Sequence, residues 1–436
     1  MFKTIVEAFK NPQIRKGMFI TILLLLVYRI GCYLPVPGID ASVYADAISG
    51  ESGVGLLGLL NAVSGSALAN GAFLALGVTP YINASIIVQL LTVAIPALER
   101  LSKQGDDGRK KINKITRIVA VILAIAQGVG IVLGFGSEGI TNVFGSAPLW
   151  ITSVFVVAVF VAGSCFTMWL GERISEQNIG NGTSLIIFVG ILSTAALSLV
   201  NTFRNIFAGD SSAAWELAGF LVLAVVIFAL IVFFDLAERK IPVQYAKQIK
   251  GRKMFGGQSS YIPMKVNASG VMPIIFATAI ITFPSLIMQL FGVEATDGWF
   301  AKFYFEYLGA GGVVYSVLVG LLILFFAYFY SQIQFNPYDV SQNIQQHGGF
   351  IPGIRAGKPT AEYLAKVSKR ITLFGAIFLA FIAIVPNIVF KLVAGGSLEL
   401  LNAFTATGML VVVSVAIEFG NQIEAQLLMK RHKNIL

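Results

Sequence analysis

Charge is what this chain has least of. Only 12% of its 436 residues are Asp, Glu, Lys or Arg, about half the share of a soluble domain, so a water-facing globule is excluded. Histidine occurs only at His347 and His432, both in polar segments, and cysteine only at Cys32 and Cys165. Those cysteines lie in apolar runs near opposite membrane faces, with neither CxxC nor metal-ligand spacing, and read as packing residues. HExxH, Walker A and Ser-His-Asp patterns are missing. Intramembrane catalysis and ion coupling both need ionisable groups at bilayer depth. Here Asp235 and Glu418 stand at the ends of apolar runs, and Arg29, two-thirds along its run, is expected to snorkel outward. The chain therefore reads as a non-enzyme without metal or cofactor. The first apolar run, Gly17–Leu34, lacks a small-residue cleavage site, so no removable signal peptide is expected.

Apolar length is what the chain has in excess. It is 56% hydrophobic and contains ten runs near the roughly 20 residues a membrane helix needs. They are Gly17–Leu34, Gly71–Ile95, Ile118–Phe135, Trp150–Leu170, Thr183–Val200, Trp215–Phe234, Gly270–Phe291, Gly312–Tyr330, Ile371–Phe390 and Leu401–Phe419. Because the backbone must be satisfied within lipid, runs of this length predict an all-α polytopic membrane protein. Alternating the connectors puts 27 of the 31 Lys and Arg on one side, all but Arg29, Arg204, Lys302 and Lys391. The positive-inside rule makes that side, and both termini, cytoplasmic. Two connectors on that side, Asp235–Ser269 and Ser331–Arg370, exceed what topology requires, and their basic, Gly-, Pro- and aromatic-containing sequences predict a docking surface for a large anionic partner.

Five runs in each half give halves of opposite orientation, residues 1–200 and 201–436. The second run of each half carries the same phrase, "GVTPYINAS" at Gly77–Ser85 and "GVMPIIFAT" at Gly270–Thr278. Gly/Pro-interrupted helices at matching positions of inverted repeats point to the working site. Just before the first phrase, "LLNAVSGSALAN" (Leu59–Asn70) is uncharged yet weakly polar. As a helix it would be roughly 18 Å long, about half a bilayer. An inverted-repeat secondary transporter for a small solute shares this topology, but should carry a coupling Asp, Glu or His at midplane.

The motifs "YRIGCYLPVPGID" (Tyr28–Asp40), "LGVTPYINASIIVQLL" (Leu76–Leu91), "GRKKINKITR" (Gly108–Arg117) and "GERISEQNIGNGTSLIIFVGI" (Gly171–Ile191), followed by "IPVQYAK" (Ile241–Lys247), "IPMKVNASGVMPIIFA" (Ile262–Ala277), "IQFNPYDVSQN" (Ile333–Asn343) and "GGFIPGIRAGKPT" (Gly348–Thr360), run in order over nearly the whole chain. Together they resemble the SecY family, the pore subunits of the general secretory translocon. The resemblance implies ten spans around an hourglass pore in the cytoplasmic membrane, passing unfolded signal-bearing polypeptides and releasing hydrophobic segments into lipid. It implies a pore ring of Val78, Ile82, Ile187, Ile275 and Val411, with Thr183 where the family often has another aliphatic. It implies a plug near residues 59–70, built on Asn61, Ala62, Val63, Ser64, Gly65, Ser66, Ala67 and Leu68. A lateral gate between spans two and seven would use Ala84, Ser85, Ala277 and Thr278, with Gln127 beside it. Docking of the ribosome and the motor ATPase SecA would fall to Arg239, Lys240, Lys247, Arg252, Lys253, Arg355 and Lys358. Ala356 stands where the family commonly has Pro, which is expected to loosen that loop tip. The further partners implied are SecE, SecG, YidC and membrane lipid.

Overall fold

Helix starts in this chain reuse a simple device. In Asn11-Pro12 and Asn336-Pro337 the Asn side chain accepts a backbone N–H two residues on, from Gln13 at 3.2 Å and from Tyr338 at 3.1 Å. Proline then takes the first helical position, where its missing N–H costs nothing. These caps open α2 (Pro12–Gly31) and a later helix, Pro337–Gln346. The computed structural model describes residues 2–49, 61–102, 104–135, 139–143, 148–208, 211–245, 248–250, 253–255, 259–267, 270–290, 313–393 and 406–433. In chain order its helices are α1 (Phe2–Lys10), α2, α3 (Ala41–Ser49), α4 (Thr79–Ala94), α5 (Pro96–Ser102), α6 (Asp106–Phe135), α7 (Leu149–Ser175), α8 (Gly182–Phe207), α9 (Ser211–Asp235), α10 (Met272–Leu290), α11 (Val313–Gln334), α12 (Pro337–Gln346), α13 (Lys358–Val393) and α14 (Ala406–Lys433). Five strands lie between α9 and α13: β1 (Glu238–Tyr245), β2 (Gln248–Lys250), β3 (Lys253–Phe255), β4 (Ser259–Lys265) and β5 (Gly349–Phe350).

Each of the ten apolar runs overlaps a helix among the described residues. Among the described residues seven helices are long and apolar enough to cross a membrane, or eight if the pair α4–α5 is counted as one broken span. That pair bends by 106° at Ile95, which Pro96 forces into an extended conformation (φ −106°, ψ 112°). Residues on the outer faces of these helices, among them Val154, Val222 and Phe374, are exposed, as lipid-facing side chains are.

One expectation is corrected. The second run is not helical from Gly71: residues 65–78 form successive turns, and α4 begins only at Thr79. Gly77 is left-handed (φ 52°), and so is Gly270 (φ 59°) ahead of α10. In both phrases a left-handed Gly and one Val precede a helix whose second residue is Pro. The echo heard in the sequence is therefore one helix-starting device used twice.

The described structure divides into two compact units, one of Met1–Gly219, Ala279–Tyr315 and Phe390–Leu436, the other of Phe220–Thr278 and Ser316–Val389. In the first, Val36, Tyr44, Leu68, Leu76, Ile131 and Phe160 meet in a common core. Tyr44 stacks on Phe135 with ring centroids 3.9 Å apart, and burial pushes its phenol well above the usual range. Asp40, just before α3, accepts from the Ser42 hydroxyl at 2.6 Å and amide at 3.0 Å, which holds its carboxyl below the usual range. Ala8 of α1 packs with Ile14, Met18, Ile179 and Ile423, and the Gln426 side chain of α14 donates to the Asn178 carbonyl.

In the second unit the described parts of the two long basic connectors are held together by strand pairing. β1 pairs antiparallel with β4 and with β5, making a sheet of order β4-β1-β5 that joins them. Ile241 and Val243 alternate inward along β1 and meet Met264, Ile344, Ile351 and Leu364 in a separate small core. Phe234 of α9 stacks on Phe378 of α13 at 3.6 Å, and the Ser331 and Thr372 hydroxyls pair at 2.8 Å. Leu364 is fully buried, so Leu364→Ala is expected to cost about 2–5 kcal/mol. Limited proteolysis should then cut within residues 238–265 far faster than in the parent, whereas an unchanged digestion rate would show that this core does not hold the sheet.

Candidate functional site

The stretch 61–78 carries a dense set of polar contacts within the apolar first unit. Residues 61–64 are helical, after which Gly65 (φ 70°) and Ser66 (φ 68°) turn the chain through two left-handed positions. A left-handed residue other than Gly is uncommon, and here the turn is tied from several sides. Asn61 accepts the Ser66 N–H on its carbonyl at 2.8 Å and the Ala69 N–H on its side chain at 3.0 Å. Ala62, Ser64, Ala67 and Leu68 are buried. The expected helix over 59–70 is therefore limited, among the described residues, to 61–64, and residues 59–60 lie outside them.

The outer contacts of this turn come from α2 and α8. Tyr28 donates its hydroxyl to the Ser64 carbonyl at 3.1 Å, and the Cys32 thiol reaches the same oxygen at 3.5 Å. Arg29 Nη1 donates to the Gly65 carbonyl at 2.8 Å while Nη2 donates to the Tyr33 hydroxyl at 2.9 Å. Arg29 therefore does not snorkel outward as expected; one backbone carbonyl and one phenol within reach satisfy its guanidinium better than a stretched rotamer would. On the α8 side Gly190 lets the segment approach, because a Cβ there would stand 2.5 Å from the Val63 carbonyl oxygen. Thr194 Oγ1 lies 3.4 Å from Ser66 Oγ and 3.5 Å from the Ala62 carbonyl. Sequence reading missed Tyr28, Cys32, Gly190 and Thr194. The signal that could have found the contact was Arg29 itself, since a charge within a membrane run marks function by default.

The ring residues fall as follows. Val78 is buried immediately before α4, and the Ile82 N–H donates to its carbonyl at 3.1 Å, so both side chains belong to the first turn. Ile187 is buried on α8, and Val411 on α14. Thr183, one turn before Ile187, spends its hydroxyl on Asn181, the residue that caps α8, at 2.7 Å. Those five belong to the first unit; Ile275, half-buried on α10, belongs to the second. Among the gate residues Ala84, Ser85 and Gln127 lie in the first unit, Ala277 and Thr278 in the second. Gln127 is buried with its Oε1 unpartnered among the described residues. Thr278 Oγ1 bonds back to the Ile274 and Ile275 carbonyls of its own helix, each at 3.0 Å.

Of the docking residues, Arg239 and Lys240 project from β1, where Lys240 pairs with Glu238 at 3.2 Å and lies 4.8 Å over the Tyr261 ring. Lys253 opens β3; Lys247 and Arg252 lie outside the described residues. Arg355 is exposed on the turn between β5 and α13, and Lys358, the first residue of α13, is exposed beside it. That turn is tied on both sides of Ala356, by Thr360 Oγ1 donating to the Arg355 carbonyl and Ser341 Oγ donating to the Gly357 carbonyl, at 2.8 and 2.7 Å. The loosening expected from Ala356 is therefore opposed by its neighbours.

Comparison with known families decides the kinship: the SecY family model matches residues 72–420. The chain belongs to the SecY family. It is 41% identical to the protein translocase subunit SecY of Streptomyces coelicolor over the full length of both chains. To that of Thermus thermophilus it is 38% identical, covering 100% of this chain and 98% of the other. Its fold is that of a protein-conducting channel of known structure, with TM-score 0.65, 18% identity and coverage of 95% and 92%. The fold is also shared with Sec61 in the canine ribosome–channel complex, with TM-score 0.60, 17% identity and the same coverage.

Proposed function

We propose that this SecY-family chain conducts unfolded secretory polypeptides across the cytoplasmic membrane and releases hydrophobic segments sideways into the bilayer. The observation that carries this reading is kinship with protein translocase subunits over the full length of the chain. The two sequence halves, 1–200 and 201–436, act as inverted repeats with both termini cytoplasmic. Val78, Ile82, Thr183, Ile187, Ile275 and Val411 form the constriction. An aliphatic ring suits the task because it blocks ions by dewetting and still yields to a chain of any sequence. Residues 61–68 form the plug, and Ala84, Ser85, Gln127, Ala277 and Thr278 line the lateral gate, where small side chains permit close and reversible helix contact.

The chain itself carries out no catalysis. Drive comes from the ribosome or SecA docked on Arg355, Lys358 and the basic strand residues, and SecE, SecG and YidC complete the assembly in the membrane. The sheet that unites both basic connectors supports this reading by presenting Arg239, Lys240 and the Arg355 turn on one folded element. A small-solute transporter is not favoured, because the family is one of protein translocases. Single cysteines at Val78, Ile82 and Ile275, with Cys32 and Cys165 replaced, should cross-link to a secretory chain stalled in transit. Intact protein giving no cross-link at any of the three positions would remove the channel reading.

A further inference from the structure

We propose that Arg29, with Tyr28, is the latch that holds the 61–70 segment shut, a positioning role for two residues of the first span. This inference rests on the reading of that segment as the plug. The last carbonyls of a helix have no partner within it, and the left-handed pair Gly65–Ser66 stops the helix of residues 61–64 from continuing past them. Ser64 and Gly65 consequently present their carbonyls outward, where Tyr28 and Cys32 take the first and Arg29 the second. Around the turn, Asn70 donates its side-chain amide to the Cys32 carbonyl at 3.3 Å, so the last turn of α2 grips the segment at both ends.

The grip is specific to arginine. Tyr33, one turn on, receives Nη2 and lies with its ring 5.0 Å from the guanidinium carbon, which fixes the direction of Nη1 toward Gly65. A lysine keeps the charge but has one head group, and cannot serve Tyr33 and Gly65 in this forked geometry. Nor can the neighbouring residue be enlarged, since a Cβ on Gly65 would lie 2.6 Å from Arg29 Nη1 and 3.0 Å from Gly190 Cα. Displacing the segment strips the guanidinium of its carbonyl partner inside an apolar run, and that loss opposes opening. Hydrogen bonds to charged groups are strong enough that removing one should shift the opening equilibrium on the order of tenfold.

The test uses the full channel complex in sealed vesicles, with resting ion leak as one measurement. Disulfide formation between S66C and T194C, in a background lacking Cys32 and Cys165, is the other. Arg29→Gln should raise the leak roughly tenfold and lower the disulfide yield, Arg29→Lys should fall between it and the parent, and Tyr28→Phe should follow in the same direction. Deleting Asn61–Ala69 is the separate arm for the plug itself and should leak most. If the deletion leaks while Arg29→Gln stays tight, or leaks with an undiminished disulfide yield, the latch is overturned and the plug stands. If the deletion is as tight as the parent, the plug reading falls and the latch with it. Equal leaks from the Lys and Gln variants would overturn the forked geometry. Should Arg29→Gln fail to assemble, Arg29→Lys and Tyr28→Phe decide by the same two measurements.

Discussion

Gly163→Ala is expected to cripple the first unit. A Cβ at Gly163 would stand 1.8 Å from the carbonyl oxygen of Phe73 and 2.8 Å from its carbonyl carbon, and neither atom can move by changing a rotamer. Relief requires shifting α7 or the turns of residues 73–78, and overpacking of this kind costs about 3 kcal/mol. The damage should reach Val78, because next to Gly163 the Ser164 hydroxyl donates at 3.3 Å to the carbonyl of Gly77, immediately before it. Gly128→Ala is the matched control: its new Cβ would meet Val157 at an ordinary 3.5 Å. Alanine is also worth roughly 1 kcal/mol over glycine within a helix. Thermal unfolding of the purified protein should therefore drop sharply for the first variant and stay level or rise for the second. Equal midpoints for the two would show that the α7 contact is not the tight one.

Charge reversal at the exposed turn is the other large effect. Neither Arg355 nor Lys358 is ion-paired among the described residues, and both are exposed. Arg355→Glu should therefore leave folding and assembly at parental levels. Against an anionic partner, a central arginine replaced by a carboxylate loses its own contribution and adds repulsion, together about 2 kcal/mol or more. SecA- or ribosome-driven translocation should fall on the order of thirtyfold, with the parent's advantage shrinking as salt rises. Export at the parental rate, with the variant fully assembled, would take this turn out of the docking surface.

How much of this was legible in the sequence depends on the range of the interaction. The membrane-crossing helices were legible because each is a local surplus of apolar residues, and the Gly-Val-x-Pro echo was legible because helix starts are set by a few adjacent residues. The β4-β1-β5 sheet was not. Along "ERKIPVQY" the inward pair Ile241 and Val243 is hidden among charges and a proline, and its partner strand β5 is a two-residue element that follows two intervening apolar helices, α10 and α11. Hydropathy also misplaced the start of α4, because the turns before it are as buried and apolar as a helix: Leu74, Ala75 and Leu76 are all but inaccessible. Gly65, Gly71 and Gly77, each left-handed, were the punctuation that marked those turns. Arg29 could be flagged as anomalous from sequence, but its partner is a backbone carbonyl, and backbone carbonyls leave no trace in residue identity.

The β1–β5 pairing also sets a schedule for biosynthesis. Tyr245 pairs with Gly349, and roughly a hundred residues must be polymerised between them, which at about 5–20 residues per second takes on the order of 5–20 s. During that interval β1 can zip to β4 by a short-range connection, but its other edge stays open until α11 and α12 have emerged. An unpaired strand edge is a template for wrong partners. The lysine and arginine at its start, exposed beside Ile241, blunt that edge while the nascent chain waits for its last strand.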